Sequence, residues 1–209
     1  MEFRTKEEAA VFVGGLSEPE KLSCYSFSLP AKFCKTGSKM AKVEGSVCNL
    51  CYAKKGCYRF YTVQDALLRR YLMLKNPHWV DAMVRLMEGY PYFRWHDSGD
   101  VQDMQHLLNI VEVANRCPKT KFWLPTHEYS LIAEYVKTYG KFPKNMVVRL
   151  SASRVNGKPP IALAKKLNVC VSGVYEKGYN CNAPKQSNKC LDCHKCWNPQ
   201  AFNTIFKKH

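Results

Sequence analysis

The sequence predicts an α/β protein: a partial (β/α) barrel of about five to six βα units, followed by a C-terminal cysteine-rich segment suited to metal binding. Three observations predict it. Strand-like runs and helix-like stripes alternate, with strand starts recurring about every 25 to 30 residues, the rhythm of a parallel sheet. The 209 residues suffice for one core but fall short of the roughly 250 of an eightfold barrel. The eleven cysteines gather towards the two ends: Cys24, Cys34, Cys48, Cys51 and Cys57 early, Cys170, Cys181, Cys190, Cys193 and Cys196 late, and only Cys117 between. The expected division is a barrel portion over residues 1–175, with a cluster loop at 34–57, and a metal-binding segment over 176–209.

Taken in order, "CYSFSL" (24–29) is a weak first strand. Val63, Leu67, Tyr71 and Leu74 recur at helical spacing, with Thr62 and Asp65 as an N-terminal cap pair. Asn76 and Pro77 suit the cap and first position of a second helix carrying Trp79, Val80, Met83 and Leu86. The aromatic "YFRWH" (92–96) is a strand. Met104, Leu107, Leu108, Val111 and Ala114 mark a helix that Ser98 or Asp100 would cap. The strand "KFWL" (121–124) precedes a stripe of Leu131, Ile132, Tyr135 and Val136, with Ser130 as its cap and Gly140 as its stop. "MVVRLS" (146–151), a short helix from Pro159 to Leu167, and "NVCVS" (168–172) complete the pattern. The helical stripes are core.

In parallel folds ligands bind at the carboxyl ends of the strands, so those ends are where function is sought. Cys34 follows the first strand. Asp97, Ser98, Gly99 and Asp100 follow the second, His127 and Glu128 the third, and Ser151 and Ser153 lie at the end of the fourth, just beyond Arg149. Each has an ordinary explanation as a helix cap; their repetition at successive strand ends favours a site.

The charge of +15, from 32 Lys plus Arg against 17 Asp plus Glu, favours an anionic partner, nucleic acid first, although a basic surface also serves solubility. No apolar run approaches the roughly 18 residues of a membrane span, and the charged start does not read as a secretory signal, so no membrane partner and a cytoplasmic location are expected. In that setting eleven cysteines point to metal rather than disulfides.

Cys181, Cys190, Cys193 and Cys196 form C-x8-C-x2-C-x2-C. Four soft thiolates this close hold zinc or a 4Fe-4S cluster, and the repeated two-residue gap favours the cluster, because each sulfur reaches a different corner of a cube. His194 lies inside the run as a bystander. Cys34, Cys48 and Cys51 form C-x13-C-x2-C, and Cys57 is available as a fourth ligand. With four ligands the site is closed and structural; with three, one position stays open for a ligand. Enzymes that use S-adenosylmethionine radically have three cysteines in a loop after the first strand of a partial barrel. Their first gap is shorter, but "CNLCY" keeps the final C-x2-C and the aromatic Tyr52 after it.

The stretches "AKFCKTGSKMAKVEGSVCNLCYAKKG", "YFRWHDSGDVQ", "FWLPTHE", "VVRLSAS" and "APKQSNKCLDCHKCW" together resemble the phage family called gene product eighty-eight, from about residue 21 onward. The chain is also similar to phage and bacterial proteins with a "CxxCYA" motif and a βα pattern that are compared with radical enzymes. That resemblance implies host cytoplasm, and it puts Ser98, Gly99 and Asp100 where radical enzymes grip the cofactor's amino group. It also favours three early ligands, since members of the family often lack cysteine at the positions of Cys24, Cys57 and Cys117.

The expectation is therefore an iron–sulfur enzyme of radical S-adenosylmethionine type acting on a nucleic acid, nucleotide or base. Cys34, Cys48 and Cys51 would hold one 4Fe-4S cluster and the late four a second, with zinc the alternative there. Tyr52, Asp97, Ser98, Gly99, Asp100, Ser151 and Ser153 would bind the cofactor, and Arg149 the cofactor's carboxylate or the substrate. His127 and Glu128 would move protons, and a flavodoxin or ferredoxin would donate electrons. The rival expectation is a non-enzymatic basic nucleic-acid-binding protein stapled by iron–sulfur or zinc sites; a third is a cluster enzyme that never uses S-adenosylmethionine.

Overall fold

The computed structural model describes residues 2–208; Met1 and His209, the outer bounds of the two predicted segments, lie outside the description. The six strands are β1 (Ser26–Phe27), β2 (Tyr92–Trp95), β3 (Lys121–Thr126), β4 (Met146–Ser151), β5 (Cys170–Tyr175) and β6 (Asn203–Lys207). The helices are α1 (Lys6–Val13), α2 (Lys35–Met40), α3 (Tyr61–Met73), α4 (Trp79–Met87), α5 (Met104–Arg116), α6 (Tyr129–Tyr139) and α7 (Ile161–Leu167). All strands are parallel and stand in sequence order, β1 to β6, in one sheet whose edges are β1 and β6. The parallel α/β expectation is met. The strands form one sheet of six with two open edges, as any fold short of a closed barrel has.

The pleat explains the layering. Alternate residues point to opposite faces. Phe27, Phe93, Trp95, Phe122, Leu124, Val148, Leu150 and Val171 join the helices in one buried core. The alternate positions, Ser26, Arg94, Trp123, Arg149 and Ser172, belong to the second face. There the C-terminal chain supplies cover: Trp197 donates from Nε1 to Phe93 O at 2.8 Å and meets the Trp123 ring at 5.3 Å.

Several ends fall elsewhere than predicted. Helix α1 carries a capping box, Thr5 with Glu8, and stops at Gly14 in a left-handed conformation; the sequence reading passed over it. Helix α3 begins at Tyr61 without a side-chain cap, so Thr62 is already helical. Asn76 accepts from His78 N at 3.0 Å but one turn early, since α4 starts at Trp79. Asp103, not Ser98 or Asp100, caps α5 by accepting from His106 N at 2.8 Å. Ser130 lies inside α6, which does end at Gly140 as expected. Strand β6 was not foreseen; it comes from within the cysteine-rich stretch and completes the sheet beside β5.

Three histidines lie at or near the carboxyl end of this sheet, His96 and His106 buried and His127 half-buried. His96 follows β2 with a φ of 57° and has its Nδ1 3.0 Å from Phe27 O. His106 accepts from Gln102 N at 3.2 Å, and the two rings lie 5.3 Å apart. Burial lowers His96 and His127 to about 4 and holds His106 well below its usual range, with the charge of His96 a smaller cause. An unfolded histidine titrates near 6.5, so between these values the unfolded chain binds more protons and stability falls as pH falls. Asp100 acts in the opposite sense: burial raises it to about 7, so the folded chain holds its proton through the same window. Three groups outweigh one. Urea unfolding should therefore show stability dropping by about 2 kcal/mol per pH unit from about pH 6.5 towards pH 4. His106→Gln should roughly halve that slope; an unchanged slope would exclude these imidazoles as its source.

Candidate functional site

Because every strand runs the same way, all six carboxyl ends meet one rim. Residues 31–60 wrap over it and carry the early cysteines. Cys34 sits at the N-terminal end of α2. Gly37, one turn on, lets Cys48 approach: a Cβ there would stand 3.0 Å from Cys34 Cβ and 3.5 Å from Cys48 Sγ. Cys51 completes the group. Burial pushes the Cys34 thiol up to about 12, followed by the negative fields of Asp100, Cys51, Cys48 and Glu128. Burial likewise raises Cys48 to about 11, with Cys51 and Asp100 adding and Lys54 opposing. Cys57 is exposed and does not figure among the neighbours acting on these thiols. The structure therefore brings together Cys34, Cys48 and Cys51 and leaves Cys57 apart.

The wrap is pinned at three strand ends. Past β3, Glu128 accepts from Thr36 N and Thr36 Oγ1, both at 2.9 Å. Past β4, Val47 N donates to Ser153 O at 3.1 Å. Past β2, Asp97 is the anchor: its carboxylate accepts from Ser26 Oγ and Tyr58 Oη at 2.5 Å each, and its carbonyl accepts from Tyr52 Oη. Glu128 and Tyr52 thus position the cysteine loop.

The side chains of the acidic turn are taken up within the protein. Ser98 Oγ donates to Leu29 O at 2.8 Å. Gly99 has a φ of 86°, and a Cβ there would lie 2.5 Å from Leu29 Cβ, so the position requires glycine twice over. The Asp100 carboxylate accepts from Thr126 Oγ1 at 2.6 Å and from the backbone N–H groups of Val101 and His127 at 2.8 Å. These side chains are thereby engaged in bonds of the framework. Ser151 Oγ is 3.3 Å from Ser172 Oγ, and its carbonyl accepts from Tyr129 Oη, which is 3.5 Å from the exposed Ser153 hydroxyl. His127 differs from its neighbours: its Nδ1 is buried without a hydrogen-bond partner, and burial keeps the ring neutral at pH 7. It presents a neutral imidazole at the rim, and the burial that keeps it neutral also makes it a weak base.

Arg149 is corrected more firmly. Its side chain is 0% exposed and belongs to the second face, where it donates to six carbonyls: Cys196, Val171, Ala201, Phe202, Lys195 and Asn198. No donor is left for a carboxylate. It holds the C-terminal chain.

That chain brings the late cysteines together. Cys181 and Cys193 raise Cys190 after burial does, and Cys181 and Cys190 raise Cys196, which burial drives to about 12 against the opposing fields of Arg149 and Arg94. Cys24, grouped by sequence with the early set, joins this one: Cys190 acts on its thiol, and Cys190 N donates to Lys21 O at 2.8 Å. Between the two sets lies Arg94, stacked 4.5 Å over Trp123, with its Nε buried and unpartnered and with Tyr52, Asp97 and Cys196 acting on its charge. His194 stacks on Tyr92 at 3.7 Å, a packing role. Among the described residues no three His, Cys, Asp or Glu side chains converge as the ligands of one metal ion. No helix among them is long and apolar enough to cross a membrane.

Fold and site define a parallel α/β protein with two gatherings of thiols, one on the carboxyl rim of the sheet. The model of the family described as Gene product 88 matches residues 3–199, and the chain belongs to that family. No curated protein and no solved structure matches it.

The Glu128 clamp yields a prediction. Glu128→Ala leaves two donors of Thr36 without their acceptor, which should cost about 1–2 kcal/mol. The wrap should open more often, and Cys34 in the metal-free chain should be alkylated roughly tenfold faster. Mass spectrometry after timed iodoacetamide would measure it; an unchanged Cys34 rate would show that Glu128 does not hold the loop.

Proposed function

We propose that the chain is an iron–sulfur enzyme of radical S-adenosylmethionine type, acting on a nucleic acid, nucleotide or base, with the six strands curved as part of a barrel. One observation carries this: three thiols, Cys34, Cys48 and Cys51, are neighbours on the carboxyl rim of a parallel sheet, while Cys57 stands away in solvent. The donor set fits a 4Fe-4S cluster. The ligands are soft, three in number, and need not meet at one point, since a cube takes each thiolate at a different corner. When bound with one iron open, such a cluster supplies an electron to the sulfonium of S-adenosylmethionine and so initiates radical chemistry.

This chain's residues supply the setting. Glu128 and Tyr52 hold the loop. His127 presents a neutral imidazole at the rim, and the rim hydroxyl of Ser153 meets a polar ligand. Asp97, Ser98 and Asp100 shape the turn at Gly99, so a cofactor there is met by backbone rather than by their side chains. Cys181, Cys190, Cys193 and Cys196 hold a second cluster, and Arg94 places a positive charge between the two sets. An electron donor of flavodoxin or ferredoxin type is implied.

Anaerobic purification with iron and sulfide analysis tests the reading, and about eight irons per chain is the expectation for two cubes. Cys51→Ser should lose half the iron. Cys57→Ser should keep all of it, and its absorption spectrum should still change on adding S-adenosylmethionine. Loss of a cluster in Cys57→Ser would mean four protein ligands, a closed site, and the end of the radical mechanism.

A further inference from the structure

The same wrap presents a second kind of chemistry outward. Among the described residues four Phe, Trp or Tyr side chains are exposed, Tyr52, Phe60, Tyr61 and Tyr139, and three of them fall within ten residues. Phe60 is 63% exposed and Tyr61 83%. Adjacent rings left in water at this level are not core, and their clustering marks a surface that meets something. They follow Lys54, Lys55 and Arg59 directly, all exposed. Seven exposed lysine and arginine side chains lie between residues 32 and 59, and Glu44 is the one acid there. Cations interleaved with free ring faces suit a ligand that offers negative charge and flat apolar faces together.

We propose that the surface formed by Lys54, Lys55, Arg59, Phe60 and Tyr61 binds single-stranded nucleic acid beside the three-thiol rim. The bases stack on Phe60 and Tyr61, and the phosphates lie along the cations. A duplex hides its base faces and satisfies only the charges. An acidic peptide likewise uses the charges and leaves the rings idle. Stacking and charge do not read the sugar, so DNA and RNA of one composition bind alike. The wrap that carries Cys48, Cys51 and Tyr52 thereby delivers an unpaired base to the rim. The inference rests on the substrate class proposed above but not on the metal.

The test uses the full-length chain as purified, at roughly 50 mM salt, where phosphate contacts are strongest. The probes are labelled oligothymidine, oligouridine and a duplex, each of about sixteen nucleotides. The two single strands should bind alike and at least tenfold tighter than the duplex. Phe60→Ala with Tyr61→Ala should weaken single-strand binding by roughly a hundredfold, about tenfold per ring. Replacing Lys54, Lys55 and Arg59 by Ala should reduce the salt slope by about 2. Tyr139→Ala, the exposed ring elsewhere, should bind as the parent does, and equal thermal melting of all variants shows that they are folded. Absent binding, equal affinity for the duplex, or ring variants that bind like the parent would each overturn the proposal. Iron measured on the same samples separates the two readings: iron without single-strand binding sinks this inference alone, and binding without iron sinks only the cluster enzyme.

Discussion

Much of the molecule depends on one buried cation. Arg149 is centred on the second face of β4, out of reach of water, and a guanidinium does not shed its proton to ease burial. Its charge is stabilised by carbonyls instead of a carboxylate, and five of the six, from Lys195, Cys196, Asn198, Ala201 and Phe202, come from the turn that precedes β6. To satisfy the arginine, that turn must lie across the sheet. In that position Trp197 reaches Phe93, Cys196 comes within the field of Arg94, and β6 is delivered to the edge of β5. The late cysteines are organised by this packing as well as by their spacing.

The other gathering depends on direction. Cys24 and Cys34 are ten positions apart in sequence, yet β1 runs between them, so they leave the strand at opposite ends. Only Cys34 reaches the rim; Cys24 falls to the late set. The wrap that returns over the rim is held by Asp97, Glu128 and Ser153, one from each of three consecutive strand ends. Residues that read as ligands for a cofactor thus act first as the mounting of the thiols.

The sequence made β2 to β5 legible because each is a run of β-branched or aromatic residues with clear neighbours. Helix α1 was also legible, through Thr5, Glu8 and Gly14, and was missed by attending to its charge. Strand β6 was not, because "NTIFK" is short and lies behind a stretch whose cysteines dominate the pattern. The three rim cysteines could be grouped from spacing, but spacing alone left Cys57 open as a fourth, and its exposure is seen only in the structure. The work of Arg149 could not: its partners are backbone carbonyls some fifty residues away, and a carbonyl leaves no trace in residue type. The framework role of the acidic turn was hidden for a related reason. Asp97, Ser98 and Asp100 sit at strand ends as a binding motif would, but β1, β3 and the wrap compete for the same oxygens and take them.

One feature of the rim bears on how the chain survives before any metal arrives. A thiol held near 12 is about 10⁻⁵ ionised at neutral pH, against a few per cent for an ordinary cysteine. Air, peroxide and alkylating agents attack the thiolate, so newly made chains keep Cys34 and Cys196 dormant. Cys57 meets such reagents in open solvent, and a lesion there is borne outside both gatherings.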